Sequence, residues 1–190
     1  PELNETQLDL YERFEKEFFF FFFTINLISI KDTENLFIHH ILHSLAIAKV
    51  CKFKPQCNIL DIGTGGGFPG LPLAIMFPET KFFLVDSIGK KIKVVQAITE
   101  ALELKNVRSM QTRAEKVQEK FDFIISRAVT TFEDFIPWTT GKFSNIRYHD
   151  LPNGILYLKG GDLTEELTKV KKPYKVFNIS DYFEDEFFET

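Results

Sequence analysis

Apolar and polar positions follow one rhythm up to about residue 50 and another from residue 57 onward. Residues 3–17 carry Leu3, Leu8, Leu10, Tyr11 and Phe14 on a polar background, which predicts a helix. Residues 34–49 predict a second helix. Phe37, Ile41 and Leu45 form one i, i+4 row and Ile38, Leu42 and Ala46 the next, with Thr33 after Asp32 as its N-cap. From Cys57, short apolar runs alternate with helical stretches. The runs are Cys57–Asp61, Lys81–Asp86, Val107–Gln111, Phe121–Ser126 and Ile155–Lys159, with a last strand near Tyr174–Ile179. Helices open at Pro69, over Lys90–Leu104 and over 162–170. Repeated strand–helix units predict an α/β, Rossmann-like, mostly parallel sheet covered by helices on both faces, with one reversed strand late in the chain. No repeat or linker interrupts this pattern. The expected organisation is an N-terminal helical cap, 1–50, on a core, 51–190.

Composition adds limits. The chain has 190 residues, 44% hydrophobic and 26% charged, the size and balance of one globular domain. Cys51 and Cys57 are too few for a disulfide scaffold or a four-cysteine zinc site, so a cytoplasmic protein is expected. The 22 phenylalanines include an unbroken run, Phe18–Phe23. The apolar stretch around it is too short to span a bilayer and follows acidic residues, the wrong flank for a signal peptide. It reads as a partly buried helix end, and no membrane partner is expected.

The net charge of −4 argues against a nucleic-acid coat protein until it is divided. Residues 1–17 hold six acids and two bases, and residues 181–190 hold five acids and no base. The stretch between them has 16 acids and 21 bases, net +5. An excess this small suits a local phosphate-contacting rim better than general affinity for RNA.

The first predicted strand runs into Asp61-Ile62-Gly63-Thr64-Gly65-Gly66-Gly67-Phe68-Pro69-Gly70. In an open α/β sheet, ligands bind beyond the carboxyl ends of the strands, where glycines let a ligand approach backbone. Pro69 suits the first turn of the next helix. The second strand ends in Asp86, 19 residues after Gly67, where a carboxylate can accept both hydroxyls of a ribose. Strand, glycine loop, helix, strand and acid together describe a nucleoside cofactor site. Gly65-x-Gly67-x-x-Gly70 formally fits the dinucleotide fingerprint, so an NAD(P)-dependent oxidoreductase stays open, as does a non-catalytic nucleotide-binding module. Asp61, two residues before Gly63, favours S-adenosylmethionine. A carboxylate there would repel a pyrophosphate but supports a sulfonium ligand carrying an ammonium.

The stretch Asp61 to Ala74 resembles the signature of the bacterial 16S rRNA guanine-N7 methyltransferase family (small-subunit methyltransferase G, glucose-inhibited division protein B). The resemblance continues through Val85-Asp86-Ser87-Ile88-Gly89-Lys90-Lys91, Arg113-Ala114-Glu115, Ser126-Arg127-Ala128 and Leu158-Lys159-Gly160-Gly161. Upstream, Ile25-Asn26-Leu27 and His40-Ile41-Leu42-His43-Ser44-Leu45 are similar to the family's N-terminal segment. It implies a class I S-adenosylmethionine-dependent methyltransferase, with S-adenosyl-L-methionine as methyl donor, no metal, and 16S rRNA in the small ribosomal subunit as partner of a monomer. By resemblance, Asp61, Gly63, Gly65, Gly67 and Phe68 belong to the cofactor loop, with Gly63 and Phe68 at the methionine end. Asp86 holds the ribose, Ala114 and Glu115 flank the adenine, and Arg127 meets both cofactor and target base as the catalytic residue. The chain departs from the family pattern at His39, where Arg is usual, at His43, where Asp is usual, and at the Phe run. The family's last Val/Ile-rich strand has no counterpart before Thr190, so a truncated C-terminal strand is expected.

The residues themselves are compatible with that chemistry. Methyl transfer is an in-line displacement that needs mainly positioning. Ser126-Arg127-Ala128 stands where an amine methyltransferase carries Asn/Asp-Pro-Pro-aromatic, and neither cysteine follows the fourth strand, where cytosine-C5 chemistry needs one. Guanine N7 has an in-plane lone pair and no proton, so it requires no general base, and an arginine can donate to guanine O6. His39, His40 and His43 read as helix surface or packing rather than metal ligands. Lys90, Lys91 and Lys93, and Lys169, Lys171, Lys172 and Lys175, are solvated faces or phosphate contacts. Arg113 is expected to pair with Glu115 or to reach phosphate, with the pair favoured, and Trp138 and Tyr157 to lie in the core.

Overall fold

In the computed structural model, which describes residues 2–25 and 36–189, five strands form one sheet. They are β1 (Asn58–Ile62), β2 (Lys81–Asp86), β3 (Val107–Gln111), β4 (Phe123–Arg127) and β5 (Gly154–Leu158), ordered β3-β2-β1-β4-β5. All four ladders are parallel. The helices are α1 (Glu5–Ile25), α2 (His43–Val50), α3 (Gly70–Met76), α4 (Gly89–Ala101), α5 (Phe132–Thr139) and α6 (Thr164–Thr168). A π-helical turn, Phe37–Leu42, leads into α2.

The central strands are buried on both faces, as their unbroken apolar runs require. Ile59, Phe82, Leu84, Phe123 and Ile125 face the side covered by α1, α2, α3 and α4. Leu60, Ile62, Phe83, Val85 and Ile124 face Phe135 of α5 and Ala114 and Val117 beyond β3. The first of these cores includes Tyr11, Phe14 and Phe18 of α1 together with Ile41 and Leu45, so the N-terminal helices pack into the same core as the sheet.

Helix α1 runs through the Phe run instead of stopping at residue 17. Its buried stripe is Gln7, Tyr11, Phe14 and Phe18, at spacings of four, three and four, while Leu8 is exposed. The Gln7 amide donates to the carbonyls of Ile75 and Met76, and the Tyr11 hydroxyl to that of Pro72, tying α1 to α3. Only part of the Phe run is core. Phe18 is 2% exposed, whereas Phe20 is 63% exposed. The predicted Thr33 N-cap and the Asn26-Leu27 segment lie outside the described residues.

Two further expectations are corrected. No reversed strand is present among the described residues, and residues 174–178 form no ladder. Tyr174 and Val176 are more than half exposed, because an extended segment with neither a neighbouring strand nor a face to cover has nothing to hold it. Conversely, α5 escaped prediction because Pro137 lies within it. Its start is secured by Thr131, whose Oγ1 accepts the Asp134 N–H at 3.3 Å.

Candidate functional site

Strands β1 and β4 are neighbours whose onward connections run in opposite directions, β1 to β2 and β4 to β5, which opens a crevice between their carboxyl ends. A cleft of about 580 Å³ occupies that place. It is lined by Gly63, Gly65, Phe68, Asp86, Ala114, Glu115 and Arg127, seven of the site residues expected from sequence.

Asp61 and Gly67 stand behind the cleft rather than on its wall. Asp61 is fully buried. Its Oδ2 accepts the Thr64 hydroxyl at 2.8 Å and the Gly70 N–H at 2.9 Å, which ties together the two ends of the glycine loop. Among the described residues its Oδ1 has no hydrogen-bond partner. Burial pushes the carboxyl up to about 7, against the pull of those two donors and of the nearby Arg127 charge. Gly67, at φ +99°, has no room for a side chain, since a Cβ would lie 2.3 Å from Leu71 Cδ1. Gly63, at φ +69°, is equally constrained, with Val129 Cγ2 2.6 Å from where a Cβ would stand.

Asp86 closes the loop from the other side. Its Oδ2 accepts the Gly65 N–H at 3.0 Å and its Oδ1 the Ile88 N–H at 2.9 Å. A carboxylate offers about four lone-pair sites, so each oxygen keeps capacity for a ligand hydroxyl. Ala114 and Glu115 reach the cleft from a 3₁₀ turn, Ala114–Lys116, just after β3. Arg113 also lines the cleft, and the expected Arg113–Glu115 ion pair does not form. Both side chains are exposed at the rim, where an ion pair gains little.

Arg127 ends β4 with its guanidinium 5.0 Å from the Phe68 ring centroid. It donates to the His39 carbonyl at 3.1 Å and meets His40 Nδ1 at 2.7 Å. Burial lowers its pKa to about 10, which leaves it charged at neutral pH. Ala128 follows at φ +48°, a conformation disfavoured for alanine that carries the chain over Gly63. The Tyr157 hydroxyl accepts the N–H groups of Val129 and Thr130 and donates to the Thr130 carbonyl, holding this loop from below.

The sequence reading missed Thr64, Ser87, Thr112 and Val129 as cleft residues, and only their nearness to the strand ends could have signalled them. Lys91 does reach the cleft, and Trp138 both lines it and packs on Phe135. His39 stacks on Phe187 with ring centroids 4.0 Å apart, and His43 packs edge-on against Phe187 and Phe188. Burial, then the Arg127 charge, lowers the pKa of His43 to about 4. Among the described residues, no three His, Cys, Asp or Glu side chains are placed to hold a metal, and no helix is long and apolar enough to cross a membrane.

A parallel sheet in this order, with a glycine loop after β1 and an acid ending β2, is the class I S-adenosylmethionine-dependent methyltransferase fold. Coclaurine N-methyltransferase shares it, with a TM-score of 0.50 over 55% of this chain and 33% of that one, at 15% identity. A family model described as rRNA small subunit methyltransferase G matches residues 9–188. Ribosomal RNA small subunit methyltransferase G of Flavobacterium psychrophilum is 56% identical over 190 residues, covering 100% of this chain and 90% of that protein. Its namesake in Flavobacterium johnsoniae is 54% identical with the same coverage. That of Cytophaga hutchinsonii is 53% identical over 166 residues, 87% of this chain and 80% of that protein. The chain belongs to the rRNA small subunit methyltransferase G family.

Proposed function

We propose that this protein transfers the methyl group of S-adenosylmethionine to N7 of a guanine in 16S rRNA, acting in the cytoplasm as a single subunit on the small ribosomal subunit. Family membership supports the substrate class, since the relatives are named for small-subunit rRNA methylation. The observation that carries the N7 assignment is the end of β4. It brings a charged arginine to the cleft beside Phe68, and the Ser126-Arg127-Ala128 segment supplies neither an amine-binding Asn/Asp-Pro-Pro motif nor a thiol.

The cleft fits the cofactor. Asp86 has lone pairs for the ribose hydroxyls, Ala114 and Glu115 would flank the adenine, and Gly63 and Gly65 permit close approach of the methionine end. The carboxylate of Asp86 on the cleft wall favours a cationic ligand over a pyrophosphate. That favours methyl transfer over the dinucleotide alternative. S-adenosylmethionine supplies an electrophilic methyl carbon on sulfonium. In the reaction a C–N7 bond forms as the C–S bond breaks, and the sulfur keeps the electron pair. No proton leaves N7, so the site needs no base. Arg127 has five N–H donors, of which His39 and His40 take two, so the others can hold guanine O6 and orient the base. Lys91 and Arg113 at the rim suit backbone phosphates.

Arg127→Ala tests this reading. It should abolish methylation of small subunits while leaving S-adenosylmethionine affinity, measured by calorimetry, nearly unchanged. Full activity of the variant would overturn the role given to Arg127.

A further inference from the structure

The guanidinium of Arg127 is held by a segment 87 residues away in sequence. A guanidinium only donates hydrogen bonds, so His40 Nδ1 must be the acceptor in the 2.7 Å contact and the ring proton must sit on Nε2. The second hold is the main-chain carbonyl of His39, at 3.1 Å. Both come from the π-helical turn Phe37–Leu42, a widened turn of the kind that recurs at functional sites. The His40 ring lies 5.2 Å from the Phe68 ring and the guanidinium 5.0 Å from it, so imidazole and guanidinium rest on the same aromatic ring. Phe68 in turn packs on Phe14 and Phe18 of α1.

Among the described residues no acid lies within ion-pair distance of Arg127, and Asp61 acts on it only through space. Buried arginines are ordinarily paired with an acid, since desolvation disfavours a lone charge. Here two uncharged acceptors fix the fork in space without an ion pair, so its charge is offset only through space, by Asp61, and its remaining donors can face the cleft.

We propose that His40 is a positioning residue of the methyl transfer: its neutral Nδ1 aims the Arg127 guanidinium at the acceptor base without neutralising it. This rests on the reading that Arg127 meets the base. An acid at position 40 would place the guanidinium equally well but cancel the charge that steadies O6. A plain hydrocarbon ring would keep the packing on Phe68 and lose the aim.

Single-turnover methylation of small subunits at saturating S-adenosylmethionine, with cofactor affinity measured in parallel, tests the assignment in the full chain. His40→Phe should slow the rate roughly tenfold to a hundredfold, the loss expected for one hydrogen bond to a charged group, with cofactor affinity changed less than about twofold. His40→Asn keeps an acceptor near the Nδ1 position and should recover most of the rate. His40→Asp should bind cofactor normally and remain slow, and it carries the test alone if His40→Phe does not fold. A wild-type rate in His40→Phe or His40→Asp overturns the proposal, and so does His40→Asn being as slow as His40→Phe. Arg127→Ala run alongside separates the two readings. If it is fully active, the role of Arg127 itself fails; if it is inactive while His40→Phe is normal, only the role of His40 fails.

Discussion

The carboxylate of Asp86 accepts the backbone N–H of Gly65 at 3.0 Å, joining the end of β2 to the glycine loop that follows β1. One side chain thus shapes the loop and offers its remaining lone pairs to the cleft. Asp86→Ala should weaken S-adenosylmethionine binding by roughly 1.5–3 kcal/mol, about tenfold or more in Kd, because a charged acceptor is lost and the loop is released. Calorimetric titration checks this, and an unchanged Kd would mean that the ribose is held elsewhere.

Gly67→Ala should destabilise the fold by about 1–3 kcal/mol through overpacking against Leu71, with added strain because φ is +99°. Denaturant unfolding reads the effect. Leu71→Ala is itself costly, because Leu71 is buried in the core, so the comparison is made within that background: adding Gly67→Ala to Leu71→Ala should still destabilise, since the clash is gone and the backbone strain remains. No further loss would show that sterics alone exclude a side chain there.

Asp61 makes stability depend on pH in a defined direction. Burial holds its carboxyl up at about 7 in the folded chain, against about 3.9 for an unperturbed aspartate. Between these values the folded state holds a proton that the unfolded state has lost. This contribution is therefore complete below pH 4 and disappears as pH rises through 7, an effect of a few kcal/mol in size. Asp61→Asn, which cannot ionise, should flatten the stability profile between pH 4 and pH 7. Unfolding free energies of wild type and variant across that window test it; parallel profiles would mean that Asp61 is ionised throughout.

The Phe run should divide into core and surface. Phe18→Ala should cost about 3–5 kcal/mol, since Phe18 is 2% exposed and lies under Phe68. Phe20→Ala, at a position 63% exposed, should change stability by less than about 1 kcal/mol. Thermal melting of both variants checks the contrast, and equal losses would contradict it.

Much of this was legible in the chain because it is local. The runs ending in Asp61 and Asp86 each carry strand, turn and ligand-facing acid within a few residues, and the loop between them needs glycine for reasons visible in its spacing. Asp61 illustrates the limit. Sequence places it at the cofactor, while the fold turns it beneath the loop, where it binds Thr64 and Gly70. Contacts across the chain left no such trace. Nothing near His40 announces Arg127, and nothing in the Phe run shows which ring meets Phe68. Helix α5 was hidden by Pro137, and the segment around Tyr174 has a strand's composition without a neighbour to pair with.

Methyl transfer to guanine N7 is tested most directly by mapping the modified base. Small ribosomal subunits from cells lacking this activity are incubated with the protein and labelled S-adenosylmethionine, and the modified base is mapped by chain cleavage specific to N7-methylguanine. Label is expected at N7 of a single guanine in 16S rRNA, and none with Arg127→Ala. Label on an exocyclic amine, or no transfer by the wild-type protein, would contradict it.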